Sequence, residues 1–355
     1  VLAGDHDIQA GLRIHSDEMD RFQWEDRYGM QSGQLVMTTQ ATKGSDSNRI
    51  DSAEATALFV EDRFTTGAMT ITAGARYEEI TVKRDDWGKT DPDRSETPSK
   101  REHTIDVVVP GIGVEYAINE FQTVSVGIHK GFAPPGPGTS GVTDKAVDPE
   151  TSMNTEIGFK SNKGLNSLEF TLFMNSYDNL LGADTAASGG GSDELFNGGA
   201  VDISGFELYL RRILVDNGRI QMPLELAWTN TNSEFQESFD GFWGDVSKGD
   251  ELPYLPDTMI ALNLGLNVDK ISANISMKKT SEMRTVAGSG SISGSNATDE
   301  LTIIDLGLRY ALQDNIRLSV GINNFMDDDG VVSRRPYGAR PTMPRSFSLG
   351  VDYTF

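Results

Sequence analysis

The chain has 355 residues, no cysteine, 37 glycines and a formal net charge of −22. Lack of cysteine removes disulfide scaffolds, thiol catalysis and Cys-based zinc or iron–sulfur sites, and so acidic a balance offers no basic stripe for nucleic acid. No apolar run approaches the roughly 18 residues of a membrane-crossing helix; the stretch Val107–Val114 is short and broken by Pro110 and Gly111.

In chain order, alternation of apolar and polar residues predicts about fourteen strands. They fall at 6–17, 52–64, 68–84, 103–117, 121–132, 151–161, 165–178, 197–213, 217–230, 255–267, 271–284, 299–311, 315–325 and 344–355. Met69, Ile71, Ala73, Ala75 and Tyr77 alternate with Thr70, Thr72, Gly74, Arg76 and Glu78. Leu168, Phe170, Leu172 and Met174 repeat the pattern, as do Leu224, Leu226 and Trp228, then Ile260, Leu262, Leu264 and Leu266. The segment 18–51 reads as a long loop with its own hairpin near Gln34–Met37. Pro110–Gly111 suggests a bulge, and Pro223 implies either a bulge or a displaced strand boundary, because proline donates no ladder bond.

The last strand is the most decisive. Phe347, Leu349, Val351, Tyr353 and Phe355 share one face, and Ser346, Ser348, Gly350, Asp352 and Thr354 the other. A soluble sheet rarely ends on such an exposed edge, whereas an outer-membrane barrel needs a lipid-facing strand closing on aromatics. Short turns near 65–67, 118–120, 162–164, 216–218, 268–270 and 313–315 alternate with long polar insertions at 85–102, 133–150, 182–196, 232–252, 285–298 and 326–343. Short periplasmic turns and long extracellular loops are the habit of transmembrane barrels, and loops this long count against a compact soluble domain. The expected fold is therefore all-β, a transmembrane antiparallel β-barrel. A secreted β-sandwich or adhesin would not keep this strict alternation of connection lengths.

Several motifs in order resemble the C-terminal barrel of TonB-dependent outer-membrane receptors. They are Gly74-Ala75-Arg76-Tyr77-Glu78, then Lys130-Gly131-Phe132-Ala133-Pro134, then Pro149-Glu150-Thr151-Ser152 leading to Glu156-Ile157-Gly158. Gly205-Phe206-Glu207, Asn323-Asn324-Phe325-Met326-Asp327 and Pro344-Arg345 follow. The start, Gly11–Phe22, looks most like the ferric-citrate receptor branch. The resemblance implies a barrel of about 22 strands, of which residues 1–355 would supply the C-terminal part, with the plug and the first strands upstream. The opening Val1-Leu2-Ala3-Gly4-Asp5 resembles no initiation site, in line with that expectation. It further implies active uptake of a ferric siderophore or other ferric chelate in the bacterial outer membrane, energised by TonB, ExbB and ExbD through the N-terminal region. The implied partners are outer-membrane lipid, lipopolysaccharide and, through the strand ending in Phe355, the barrel assembly machinery. A passive porin-like barrel, or uptake of a vitamin or oligosaccharide, is the alternative.

No enzyme constellation emerges, and no cofactor or metal ligand is expected: the iron would travel inside its chelate. The four histidines, at 6, 15, 103 and 129, lack metal-ligand spacing. Gly189–Ser192 and Gly288–Ser291 have no lysine after them and read as loop tips, and Asp327–Gly330 lacks the closing glutamate of a calcium loop. An anionic chelate calls for inward cations near the extracellular strand ends, because guanidinium matches carboxylate bidentately. The candidates are Arg13 and His15 at the end of the first strand, His129 and Lys130 at the end of another, and Arg334, Arg335 and Arg340 with Tyr337 in the last long loop. For each, pairing with loop acids or with lipopolysaccharide is the competing use.

Overall fold

A computed structural model of the chain describes residues 4–134, 148–183, 195–197, 199–241, 244–292, 294–334 and 338–355. Fourteen strands form one antiparallel sheet in which each pairs only with its sequence neighbours. They are β1 (Asp5–Gln23), β2 (Ser47–Thr66), β3 (Met69–Asp86), β4 (Ser99–Asn119), β5 (Gln122–Ala133), β6 (Glu150–Lys163) and β7 (Asn166–Asp178). The sheet continues with β8 (Val201–Asp216), β9 (Ile220–Phe235), β10 (Thr258–Val268), β11 (Ile271–Thr280), β12 (Leu301–Gln313), β13 (Ile316–Asn323) and β14 (Ser346–Tyr353). The strand count and the meander match what the alternation predicts.

Connections of two or three residues lie at one end of the sheet, after β2, β4, β6, β8, β10 and β12. Their chemistry explains their tightness. Gly67, Gly164 and Gly218 take left-handed backbone angles, and the Asn217 side-chain oxygen accepts the backbone N–H of Arg219 and Ile220 at 3.1 and 2.8 Å. The long connections all leave from the opposite, loop end. The hairpin expected near Gln34 is present, with Arg27–Gln31 paired to Gln34–Thr39.

The register gives the sheet two unlike faces. Leu349 lies opposite Val320, which lies opposite Leu308; Leu308 faces Ala273, and Ala273 faces Leu266. Farther along, Leu208, Phe170, Phe159 and Val124 form another such row. Gly350, Ser319, Arg309, Ser272 and Asn267 mark the opposite, polar face. A one-residue slip would exchange the faces, so the apolar pattern fixes the register.

Strand lengths depart from the sequence-based bounds at the start of the chain. The strands β1 to β4 have 19, 20, 18 and 21 residues, against the roughly 9–11 that cross a bilayer. The segment 18–51 is therefore loop only from 24 to 46, and the insertion at 85–102 shrinks to 87–98. Beyond the lipid a strand no longer needs an apolar face, so its alternation fades although its pairing continues.

The two prolines resolve differently. No register shift occurs at Pro110; it pairs with Ala75 on one side, and the ladder to β5 starts only at Gly111. Its missing donor thus falls where no partner is required, and the expected bulge is absent. Pro223 does come with a bulge, since the register shifts between Ile213 and Val215 opposite it. The ladder to β10 skips the same place, and Gly265 leaves room for the proline ring, because a Cβ there would lie 2.8 Å from Pro223 Cγ.

Candidate recognition face at the loop end

The polar face of the sheet collects the charged groups near the loop end. Arg13 and His15 do lie on this face, opposite Ala57 and Ala55. They stand mid-strand rather than near its end, because β1 continues to Gln23. His129 is on the same face, between Gly111 and Asn154. Lys130 is not: it pairs with Met153 in phase with Ile128 and Val126, on the apolar face. The sequence joined two neighbours that the pleat separates.

Arg334 and Arg340 belong to a different structure. Arg334 donates its Nε–H to the Ala297 carbonyl, and its backbone N–H reaches Tyr254 Oη at 3.3 Å. It thus ties three loops together. Arg340 is exposed in a two-residue pairing with Ser333. Arg335 and Tyr337 lie outside the described residues.

The groups that sequence reasoning missed sit at the tops of β1–β4. Asp51 is 3% exposed and binds two guanidiniums: Arg49 through Nε at 3.1 Å, and Arg84 through Nε and Nη2 at 2.5 and 3.2 Å. Arg21 lies directly opposite Arg49, and Arg101 directly opposite Arg84. The sequence signal was the spacing Arg49-x-Asp51 and Arg84-x-Asp86, with each pair on one strand face. It was hidden because the charges fell just beyond, or at the very end of, the strand bounds that apolar alternation supports.

Below this group the same face is hollowed. Phe59, Glu61, Thr72, Gly74, Arg76, Gly111, Gly113, Gly127 and His129 line a recess of about 550 Å³. Arg76 pairs with Glu78 and lies 6.0 Å from the Phe59 ring centroid.

On the apolar side of the β1–β2 tops, loop 87–98 folds down onto the strands. Arg94 hydrogen-bonds Asn48 at 2.8 Å and Asp20 at 3.0 and 2.5 Å, with the Trp87 and Phe22 rings 4.7 and 5.4 Å away. Asp91 accepts the backbone N–H of Glu96 and of Ser95 and the Ser95 hydroxyl, which holds its carboxyl below the usual range. Across the sheet, loop 236–257 makes a small core: Val201 and Phe235 are fully buried with Val246, against Phe239, Leu252 and Ala287. Next to it Arg284 binds Glu251, while burial and the Glu251 charge push the Asp257 carboxyl up, against the pull of Arg284.

An antiparallel meander with one continuous apolar face, tight turns at one end and long loops at the other is the architecture of a transmembrane β-barrel. No helix among the described residues is long and apolar enough to cross a membrane. The particular family follows from the sequence: residues 2–325 match the model of the TonB dependent receptor-like, beta-barrel family, and the chain belongs to it. That family is one of transport receptors of the bacterial outer membrane.

Solved structures agree on the fold. The siderophore receptor PiuA of Acinetobacter baumannii has a TM-score of 0.75 at 16% identity, over 98% of this chain and 53% of that receptor. The ferric-catecholate import receptor Fiu of Escherichia coli K12 has 0.73 at 17%, over 99% and 52%. The ferric citrate transporter FecA has 0.71 at 18%, over 98% and 51%. The chain thus spans about half the length of the structures that it matches. Likeness at this identity is likeness of fold and does not separate a citrate from a catecholate branch. No curated protein matches the sequence.

Proposed function

We propose that this chain is barrel wall from an outer-membrane receptor that takes up a ferric chelate, with uptake energised by TonB, ExbB and ExbD acting through receptor segments outside these residues. The family match over residues 2–325 carries this reading. It is supported by the names of similar structures, which are a siderophore receptor, a ferric-catecholate receptor and a ferric citrate transporter. The cations gathered on the polar face at the loop end are placed to meet an anionic substrate before it enters the interior.

In this reading the apolar face meets lipid, and Lys130 stands at headgroup height, where it can pair with lipopolysaccharide phosphate. In the same reading the strand ending in Phe355 is the one offered to the barrel assembly machinery; its Tyr353 and Phe355 rings pack edge to face, 5.0 Å apart. Iron arrives inside the chelate, so no protein iron ligand or cofactor takes part.

The test is uptake of radiolabelled iron by cells whose only ferric-chelate receptor is the complete protein. Saturable accumulation that disappears when TonB is deleted is the expected result. Accumulation that is unsaturable and indifferent to TonB would make the barrel a passive pore.

A further inference from the structure

At its turn end the sheet carries cations on the apolar face. Lys163 is in phase with Ile157 and Phe159, and it pairs with Asn166, which is in phase with Leu168 and Phe170. Arg212 is in phase with Leu208 and Leu210 and pairs with Leu224. The Asn166 side-chain oxygen accepts the Ile213 backbone N–H at 3.0 Å, which ties the ends of β7 and β8 together. Lys163, Asn166 and Arg212 thus form one row over three neighbouring strands, about 10 Å wide.

Their basic neighbours in sequence point the other way and are neutralised there. Lys160 pairs with Glu169 at 2.9 Å, and Arg211 with Glu225 at 3.5 Å, both on the polar face. Lys163 and Arg212 are exposed and form no ion pair with an acid among the described residues. Lys163 Nζ lies instead 5.3 Å from the centroid of the Phe121 ring, and the Phe121 carbonyl accepts the Asn162 N–H at 2.8 Å. A cation–π contact orients the ammonium without cancelling its charge. A groove of about 290 Å³ opens farther up the same face, lined by Val124, Val126, Ile157, Phe159, Phe170 and Leu172. Phe159 is about 13 Å along the strand from Lys163, with the pair Ser161 and Leu168 between them.

We propose that Lys163, Asn166 and Arg212 hold the phosphate of an anionic glycerophospholipid at the periplasmic rim, with an acyl chain of that lipid in the groove. This rests on the lipid-facing wall of the proposed function and gives that wall a specific partner. Lysine and arginine lay their stems on apolar surface while their heads reach the headgroup layer. Guanidinium meets phosphate as a planar fork and ammonium as a point charge, so the row offers two complementary contacts. The stretch between the cations and the groove is the length of a glycerol backbone and its ester linkages, and Ser161 stands at that height. A free phosphate ion would engage the cations and leave the groove unused. Lipopolysaccharide meets the opposite end of the wall, where the long loops emerge.

The experiment uses the complete receptor, delipidated in detergent, and the same receptor carrying Lys163→Gln and Arg212→Gln together. Dioctanoyl phosphatidylglycerol, dioctanoyl phosphatidylcholine and inorganic phosphate are titrated against both, with bound molecules counted by native mass spectrometry. Unfolding midpoints are measured without lipid. The expected result is a parent that binds the phosphatidylglycerol about tenfold or more tighter than the phosphatidylcholine, and a variant that binds the two alike. The unliganded midpoint should not change, because both side chains are exposed and form no ion pair with an acid. Equal affinity for the two lipids in the parent overturns the proposal, as does a preference that survives in the variant. Inorganic phosphate bound as tightly as the phosphatidylglycerol overturns the lipid assignment in favour of a free anion. A lowered midpoint with equal loss for both lipids marks a merely structural row. TonB-dependent iron uptake by a parent without the lipid preference would overturn this site and leave the proposed function standing. The lipid preference in a parent without such uptake would do the reverse.

Discussion

The tops of β1–β4 and the loops above β8–β12 use arginine in opposite ways. On the tall strands the pleat sets Arg21, Arg49, Arg84 and Arg101 on one face, around Asp51, which binds Arg49 and Arg84. In the loops the cations are consumed by folding: Arg284 binds Glu251 and the Gly290 carbonyl, and Arg334 binds the Ala297 carbonyl. A loop lacks a ladder to satisfy its carbonyls, so long cationic side chains supply the missing donors. A strand already has those bonds, so its arginines pair with side chains on their own face, Arg49 and Arg84 with Asp51 and Arg21 with Gln23. Whether a basic cluster binds side chains or carbonyls thus depends on whether the backbone is already paired.

The largest effect that sharpens this contrast is on the loop core. Phe235→Ala, at a fully buried ring packed edge-to-face on Phe239 at 5.6 Å, should cost about 3–5 kcal/mol. The loss should appear in hydrogen exchange as lost protection of 236–257, with β1–β4 unchanged. Loss of protection in both regions would mean that they fold as one unit.

Both regions stand on the same lipid-facing wall, and adjacent residues of β14 probe it. Leu349→Lys should destabilise the barrel refolded into lipid by about 2–4 kcal/mol if it lies near the bilayer midplane, and Ser348→Lys by far less. Equal costs would mean that the faces are misassigned.

Arg334→Gln separates folding from recognition. It should loosen 281–300 and 331–334, costing about 1–3 kcal/mol through the unsatisfied carbonyl, and leave ferric-chelate affinity within about twofold. A large loss of affinity would return the last loop to the binding site.

Acid should act on the two regions with opposite sign. Asp91 has a depressed carboxyl pKa, so its contribution to loop 87–98 is complete above the ordinary aspartate value and is lost as pH falls through the lowered one. Asp257 is raised by burial and by Glu251, so the folded loop takes up a proton first, and acidification through that raised value strengthens loop 236–257. A spin label at a single cysteine replacing Lys248 should grow less mobile as pH falls from neutral towards about pH 4, and one replacing Lys89 should keep its mobility over that range and grow more mobile only on further acidification. Changes in the same direction would contradict the assigned causes.

Much of this was legible in the sequence. Within the lipid, alternation is obligatory, so residues such as Ile316, Leu318, Val320 and Ile322 declare strand, face and register together. Tight turns declare themselves through Gly67, Gly164 and Asn217-Gly218. The strand tops were not legible, because in water either face can be polar and Arg21, Arg49 and Arg101 read as loop. The fates of Lys130 and Arg334 were hidden for different reasons. The first needed the register against Met153, and the second a contact with Ala297 that spans 37 positions.

A membrane-spanning receptor wall should carry its long loops and cationic strand tops outside the cell. Single cysteines at Pro92, Lys248, Ser291, Glu120 and Asn217 of the complete receptor, with any other thiol removed, test it on intact cells with an impermeant thiol reagent. Labelling at Pro92, Lys248 and Ser291, with Glu120 and Asn217 reached only after the outer membrane is permeabilised, is the expected result. Labelling of Glu120 and Asn217 on intact cells would contradict it.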